Sequence, residues 1–184
     1  MKYLICLFLI ILIYFVYSLN PFIYSVSNYN EASNKIIKNS IKEVKNKYPV
    51  AVTGIGGGID HRLKKINIID VMFRIYRKLN EDEAREIILD VLDIFLNKAN
   101  NEQDLIPFLT PYPFTYEGFN ITLFIMNESG KDNVFYPDLG FVTFYSKGKI
   151  EYGSYLPTNP IKQTDQRFET LEEAREKVKR AKES

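Results

Sequence analysis

The chain has 184 residues, 26% charged and 46% apolar, with a formal net charge of +1. That composition belongs to an ordinary globular protein and excludes a chain disordered throughout. Acidic and basic residues are interspersed, leaving only the short basic cluster His61, Arg62, Lys64 and Lys65, so nucleic-acid binding through a basic stripe is not expected. The one cysteine, Cys6, lies in an apolar run, and His61 is the one histidine. Disulfides, zinc–thiolate sites and multi-histidine metal sites are therefore excluded, and no metal or cofactor is expected.

Met1 and Lys2 precede YLICLFLIILIYFVYSL, residues 3–19, which carries no charge. As a helix this stretch reaches about 25 Å, at the short limit for a bilayer core of about 30 Å. Continuation through Phe22, Ile23 and Tyr24 adds length and interfacial aromatics. The expectation is a single-pass membrane anchor at 1–19, its N-terminus held cytoplasmic by Lys2 and the remaining chain extracytoplasmic. The alternative is a cleaved signal peptide, cut after Ser18 or Ser27, and a secreted product.

Residues 20–30, NPFIYSVSNYN, read as a linker. Glu31 to Lys47 reads as an amphipathic helix, with Ile36, Ile37, Ile41 and Val44 on one face and Pro49 ending it. PVAVTGIGGGID starts as a strand and runs into glycine. In residues 62–79, Val71, Phe73 and Ile75 alternate with polar neighbours, and a bulge near Ile68-Ile69 brings Ile66 and Ile69 into line. Glu81 to Lys98 is the strongest helix, capped by Asn80 with Glu83 three residues on and apolar along Ala84, Ile87, Ile88, Val91, Leu92 and Phe95. Residues 101–118 contain three prolines and read as an ordered loop. Residues 119–127 form a strand, and LGFVTFYS with KIEYGSYL forms a hairpin turning at Lys147-Gly148. LPTNPIKQTDQ reads as a second linker before a peripheral helix from Leu171 to about Lys182, capped by Thr170 and Glu173.

The expected architecture is one α+β domain over 31–156. It comprises an antiparallel sheet of about five strands with helices on one face, followed by the 157–184 linker and peripheral helix.

Few residues suggest chemistry. Gly56, Gly57 and Gly58 follow a strand, as phosphate-binding glycines do, but no Gly-Lys-Ser/Thr follows and the run leads into a strand rather than a helix. A hairpin connection or bulge is the simpler reading. Asp60 and His61 are the one place where an acid–base pair could be sought, although neighbours in sequence do not normally orient one another. The aromatic, proline-rich loop with Tyr112 and Tyr116 is either a recognition surface or a lid on the core.

Several stretches occur together: GIGGG before LKKINIID, EDEAREIILDVLDIFLNKANNEQDLIPFL, YPFTYEGFNITLF and GKIEY. In this the chain resembles a group of small uncharacterised proteins of chlamydia-like intracellular bacteria, each with an apolar N-terminus and one domain. The resemblance covers roughly residues 50–155. It implies a bacterial envelope or secreted setting and carries no activity, ligand or functional residue.

The expected function is a membrane-tethered or exported accessory module that binds a protein or envelope component without catalysis. The alternatives are a small hydrolase-like enzyme centred on Asp60 and His61, and a structural membrane subunit assembled through its span.

Overall fold

A computed structural model describes residues 21–60, 62–63, 65–130 and 134–183. Alternating apolar residues build its sheet. The strands are β1 (Val50–Asp60), β2 (Lys65–Ile75), β3 (Phe119–Ile125), β4 (Phe141–Tyr145), β5 (Lys149–Leu156) and β6 (Asn159–Thr170). The helices are α1 (Pro21–Lys47), α2 (Glu81–Asn101) and α3 (Leu171–Glu183), and two 3₁₀ turns, Gln103–Phe108 and Tyr116–Gly118, precede β3.

The six strands lie in sequence order β1-β2-β3-β4-β5-β6. Every neighbouring pair is antiparallel except β2 and β3, which run parallel from Ile69↔Phe119 to Ile75↔Ile125. The α+β class with one sheet is as expected, but the strand count and the wholly antiparallel ladder are not. Parallel neighbours need a long crossover, and residues 76–118, containing α2, supply it.

Two segments expected to be linkers are regular structure. The described helix α1 begins at Pro21, so residues 21–30 are helical although their Asn- and Ser-rich sequence is a poor helix former. Residues 159–170 form β6, where Glu169 is the one buried side chain among those described. The sequence NPIKQTDQRFET shows no hydrophobic alternation. Among the described residues no helix is long and apolar enough to cross a membrane. The apolar segment 3–19 lies outside the described residues.

On β2, Ile66, Ile69, Val71, Phe73 and Ile75 are buried. The phase change falls at Asn67, where the partners step from Gly58↔Ile68 to Ile59↔Ile66, one residue from the expected bulge. With Ile121, Leu123, Val142, Phe144, Ile150 and Tyr152 they form one cluster with the buried residues of all three helices. α2 lies at its centre. Asn80 Oδ1 accepts the Glu83 N–H at 2.8 Å, and the Glu83 carboxylate accepts the Asn80 N–H at 3.1 Å, closing the capping box. The Phe95 ring meets Phe73 and Phe119 edge-on, centroids 6.4 and 6.1 Å apart, the arrangement the ring quadrupole prefers. The proline-rich loop is pinned by Asn100, whose amide donates to the Phe114 carbonyl at 2.8 Å and accepts the Phe114 N–H at 2.7 Å.

One ionic cluster is buried in this layer. Arg85 of α2 and Glu169 of β6 have side chains only 4% and 5% exposed, and Arg85 Nε donates to Glu169 Oε1 at 2.7 Å. The Tyr152 hydroxyl donates to the same oxygen. Lys177 of α3 donates to Oε2 at 2.7 Å. The remaining Arg85 nitrogens reach Glu81 at 2.9 Å and Asp82. Burial alone would push the Glu169 carboxyl up, but hydrogen bonds from Lys177, Tyr152 and Arg85 outweigh it and hold the group below its ordinary range. Burial and the Glu169 hydrogen bond together push the Tyr152 phenol well above its ordinary range.

Candidate functional site

Asp60 ends β1, and its Oδ1 accepts the N–H groups of Arg62 and Leu63, each at 2.9 Å. Its carboxylate therefore organises the β1–β2 turn in the manner of an Asx turn. His61 lies outside the described residues. Gly56, Gly57 and Gly58 sit within β1, paired with Asp70, Ile69 and Ile68 rather than in a loop. A Cβ at Gly57 would stand 2.7 Å from the Ile68 carbonyl oxygen, so close strand approach explains that glycine. Tyr112 is exposed. Tyr116 packs edge-on to Phe144 with centroids 6.4 Å apart and lies against Gly148, whose positive φ of 71° closes the β4–β5 turn. Gly56, Gly57 and Gly58 line a cavity of about 200 Å³ together with Ser33 and Asn34 of α1, and Asp60, Tyr112 and Tyr116 are not among its lining residues.

A different set converges on the other face of the sheet. Asp70 and Met72 of β2, Asn120, Thr122 and Phe124 of β3, Phe141, Thr143 and Tyr145 of β4, Tyr155 of β5 and Gln163 of β6 line a cavity of about 380 Å³. They are the phase opposite to the helix-packed residues: Asp70 pairs with Asn120, Met72 with Thr122, and Thr122 with Thr143.

Cross-strand bonds fix this lining. Asn120 donates from Nδ2 to Asp70 Oδ1 at 2.6 Å, and its Oδ1 accepts the Ser146 N–H at 2.8 Å. The hydroxyls of Thr122 and Thr143 lie 3.2 Å apart. The Tyr145 hydroxyl donates to Glu151 Oε2 at 2.6 Å, while Gln166 donates to Glu151 Oε1 at 2.5 Å. Burial, reinforced by the Glu151 hydrogen bond, pushes the Tyr145 phenol up to about 12, so it stays a neutral donor at physiological pH. Phe141 is the floor. Its ring lies against β5 at Gly153, where an added Cβ would come within 2.4 Å of Cζ, and it contacts Tyr155 with centroids 5.4 Å apart.

No lysine, arginine or histidine is among the described residues lining the cavity. Lys149 stands beyond it, its ammonium 3.7 Å from the Phe168 ring centroid, and Arg74 is exposed at the other end of the face. Among the described residues no group of three or more His, Cys, Asp or Glu side chains is placed to hold a metal ion. The arrangement offers shape, aromatic surface and fixed hydrogen-bonding groups. The sequence signal for it was faint: both phases of FNITLFI and FVTFY carry bulky residues, the mark of strands covered on both faces.

No protein-family model, curated protein or solved structure matches this chain.

Proposed function

We propose that this chain is a membrane-tethered or exported binding module that acts without catalysis and seats its ligand on the face of the sheet that no described helix covers. The observation that carries this reading is the cavity over β2–β6. It combines an aromatic floor with polar side chains already held in place by hydrogen bonds between strands. Its volume of about 380 Å³ falls within the ~300–1,000 Å³ of small-molecule clefts. Pre-fixed side chains lower the ordering cost of binding. The uncharged run 3–19 supports delivery to a membrane, and an envelope component then becomes the accessible ligand.

The test uses the full chain in detergent, mixed with insoluble, lipid-stripped envelope material from its own cells and sedimented. Wild type co-sediments. Gln163→Trp, a change at an exposed position on the cavity rim, abolishes retention without lowering the denaturation midpoint. Equal retention of the two proteins refutes the placement of the ligand on this face. Intact mass of the native protein separates tether from release: a chain beginning at Met1 in the membrane fraction supports the tether, and a soluble chain lacking about the first 18 to 27 residues overturns it in favour of a released module.

A further inference from the structure

We infer, resting on the binding role just proposed, that the cavity takes a neutral saccharide. Three observations converge on that class. First, charge selects against anions. The cavity presents the Asp70 carboxylate, and none of its described lining residues is basic. A phosphate, a nucleotide or an acidic polymer would bring a second negative charge beside Asp70 with no basic side chain among the described lining residues.

Second, the polar complement is mixed. Asp70 offers an acceptor, Asn120 and Gln163 offer amides, and Thr122, Thr143, Tyr145 and Tyr155 offer hydroxyls. An ammonium ligand can only donate, so it would use none of the donor capacity that the amides and hydroxyls keep beyond their bonds to one another. A saccharide hydroxyl both donates and accepts, so a ring bearing several of them can answer such a lining group by group. A protein partner meeting the same surface with apolar side chains would desolvate Asp70 and the amides without replacing their hydrogen bonds with water.

Third, the aromatic and polar groups are interleaved. Phe124, Tyr145 and Tyr155 share the cavity with the polar side chains over the buried Phe141, and Met72 and Tyr145 remain 43% and 39% exposed. A pyranose ring has an apolar C–H face and a polar rim, and it needs aromatic surface and hydrogen-bonding groups side by side. Asn120 is assigned as the positioning residue. It bridges the Asp70 carboxylate and the Ser146 backbone N–H, so Asp70 meets the ligand in one fixed orientation.

The chain has three methionines, of which Met72 lines the cavity and Met126 is buried elsewhere. Methionine methyl labelling therefore gives a sparse NMR spectrum with an internal control. The full chain is held in a polyoxyethylene detergent free of sugar and of quaternary nitrogen. It is titrated in turn with cello-, xylo- and chito-oligosaccharides, with tetramethylammonium and with inorganic phosphate.

The expected result is a saturable shift of the Met72 methyl with one or more saccharides, none at Met126, and none with phosphate. Asp70→Ala and Gln163→Ala each weaken that binding at least tenfold. Asn120→Ala weakens it too, and Asn120→Asp, which keeps the Ser146 contact but not the amide donor to Asp70, does not rescue it. A Met72 shift with tetramethylammonium alone overturns the saccharide assignment and leaves the cavity a binding site. Silence toward every probe, in a protein whose envelope retention is still abolished by Gln163→Trp, also overturns the saccharide class while sparing the binding role.

Discussion

Glu169→Gln tests the account of the buried ionic cluster most directly. The substitution keeps side-chain shape and removes one charge. Arg85, 4% exposed, loses its most buried counter-ion; Glu81 and Asp82 remain, with side chains 35% and 88% exposed. Removing one partner of a buried pair costs about 3–5 kcal/mol. The two surviving carboxylates offset part of that, and the expected loss at pH 7 is about 2–4 kcal/mol. For a chain of this size, about 3 kcal/mol lowers Tm by roughly 6–12 °C.

The pH dependence has a definite sign. The folded carboxyl of Glu169 is held below its ordinary value of 4.5. Its contribution is therefore fully present above that value and is lost as pH falls through the lower, folded value. Urea unfolding of both proteins at pH 7 and at a series of lower pH values supplies the measurement. The two stability curves are well separated at neutral pH and converge in acid. A difference under about 1 kcal/mol at pH 7, or one that stays constant down to strongly acidic pH, refutes the assigned role of Glu169 as a buried counter-ion.

Two further outcomes follow from packing and capping. Gly153→Ala sets a Cβ within 2.4 Å of Phe141 Cζ, and Phe141 is 2% exposed; a loss of about 1–3 kcal/mol is expected, and adding Phe141→Leu recovers part of it in a double-mutant cycle by chemical denaturation. Asn80→Ala removes the acceptor for the Glu83 N–H and lowers stability by about 1 kcal/mol, read from the denaturation midpoint at unchanged slope.

How much of this was legible varies by element, for physical reasons. α2 was legible because Ala84 through Ala99 repeat at helical spacing over about four turns and Asn80 and Glu83 mark its start. β2 was legible because Val71, Phe73 and Ile75 bury one face, and the bulge at Asn67 announced itself as a change of phase. The parallel pairing of β2 with β3 left no local trace, since the order of strands in a sheet is a tertiary outcome. β6 was hidden because Glu169, the buried one among its described side chains, is secured by charge rather than by apolar contact. The cavity was hidden for a related reason. Asp70 occupies the polar phase of a half-buried strand, which reads as a solvent face, Asn120 and Thr122 share a phase with the bulky Phe124, and Gln163 falls in a segment that reads as a linker. Asp60 and the glycines drew attention by residue type, yet their neighbours account for them as turn and strand-packing residues.

The parallel seam between β2 and β3 divides the ladder by loop length. Of the other four pairings, β1–β2, β4–β5 and β5–β6 join strands separated only by residues 61–64, 146–148 and 157–158, so each can zip from its own turn, while β3–β4 closes over the longer segment 126–140. The β2–β3 pairing alone must wait for residues 76–118 to close, an entropic cost that grows only slowly with length but returns nothing until the strands meet. α2 lies within that loop, and the ring of Phe95 touches Phe73 on one side of the seam and Phe119 on the other. The segment that separates the two halves along the chain is thus the one that joins them in space. An N-terminal hairpin and a C-terminal meander share a single core and are not two modules.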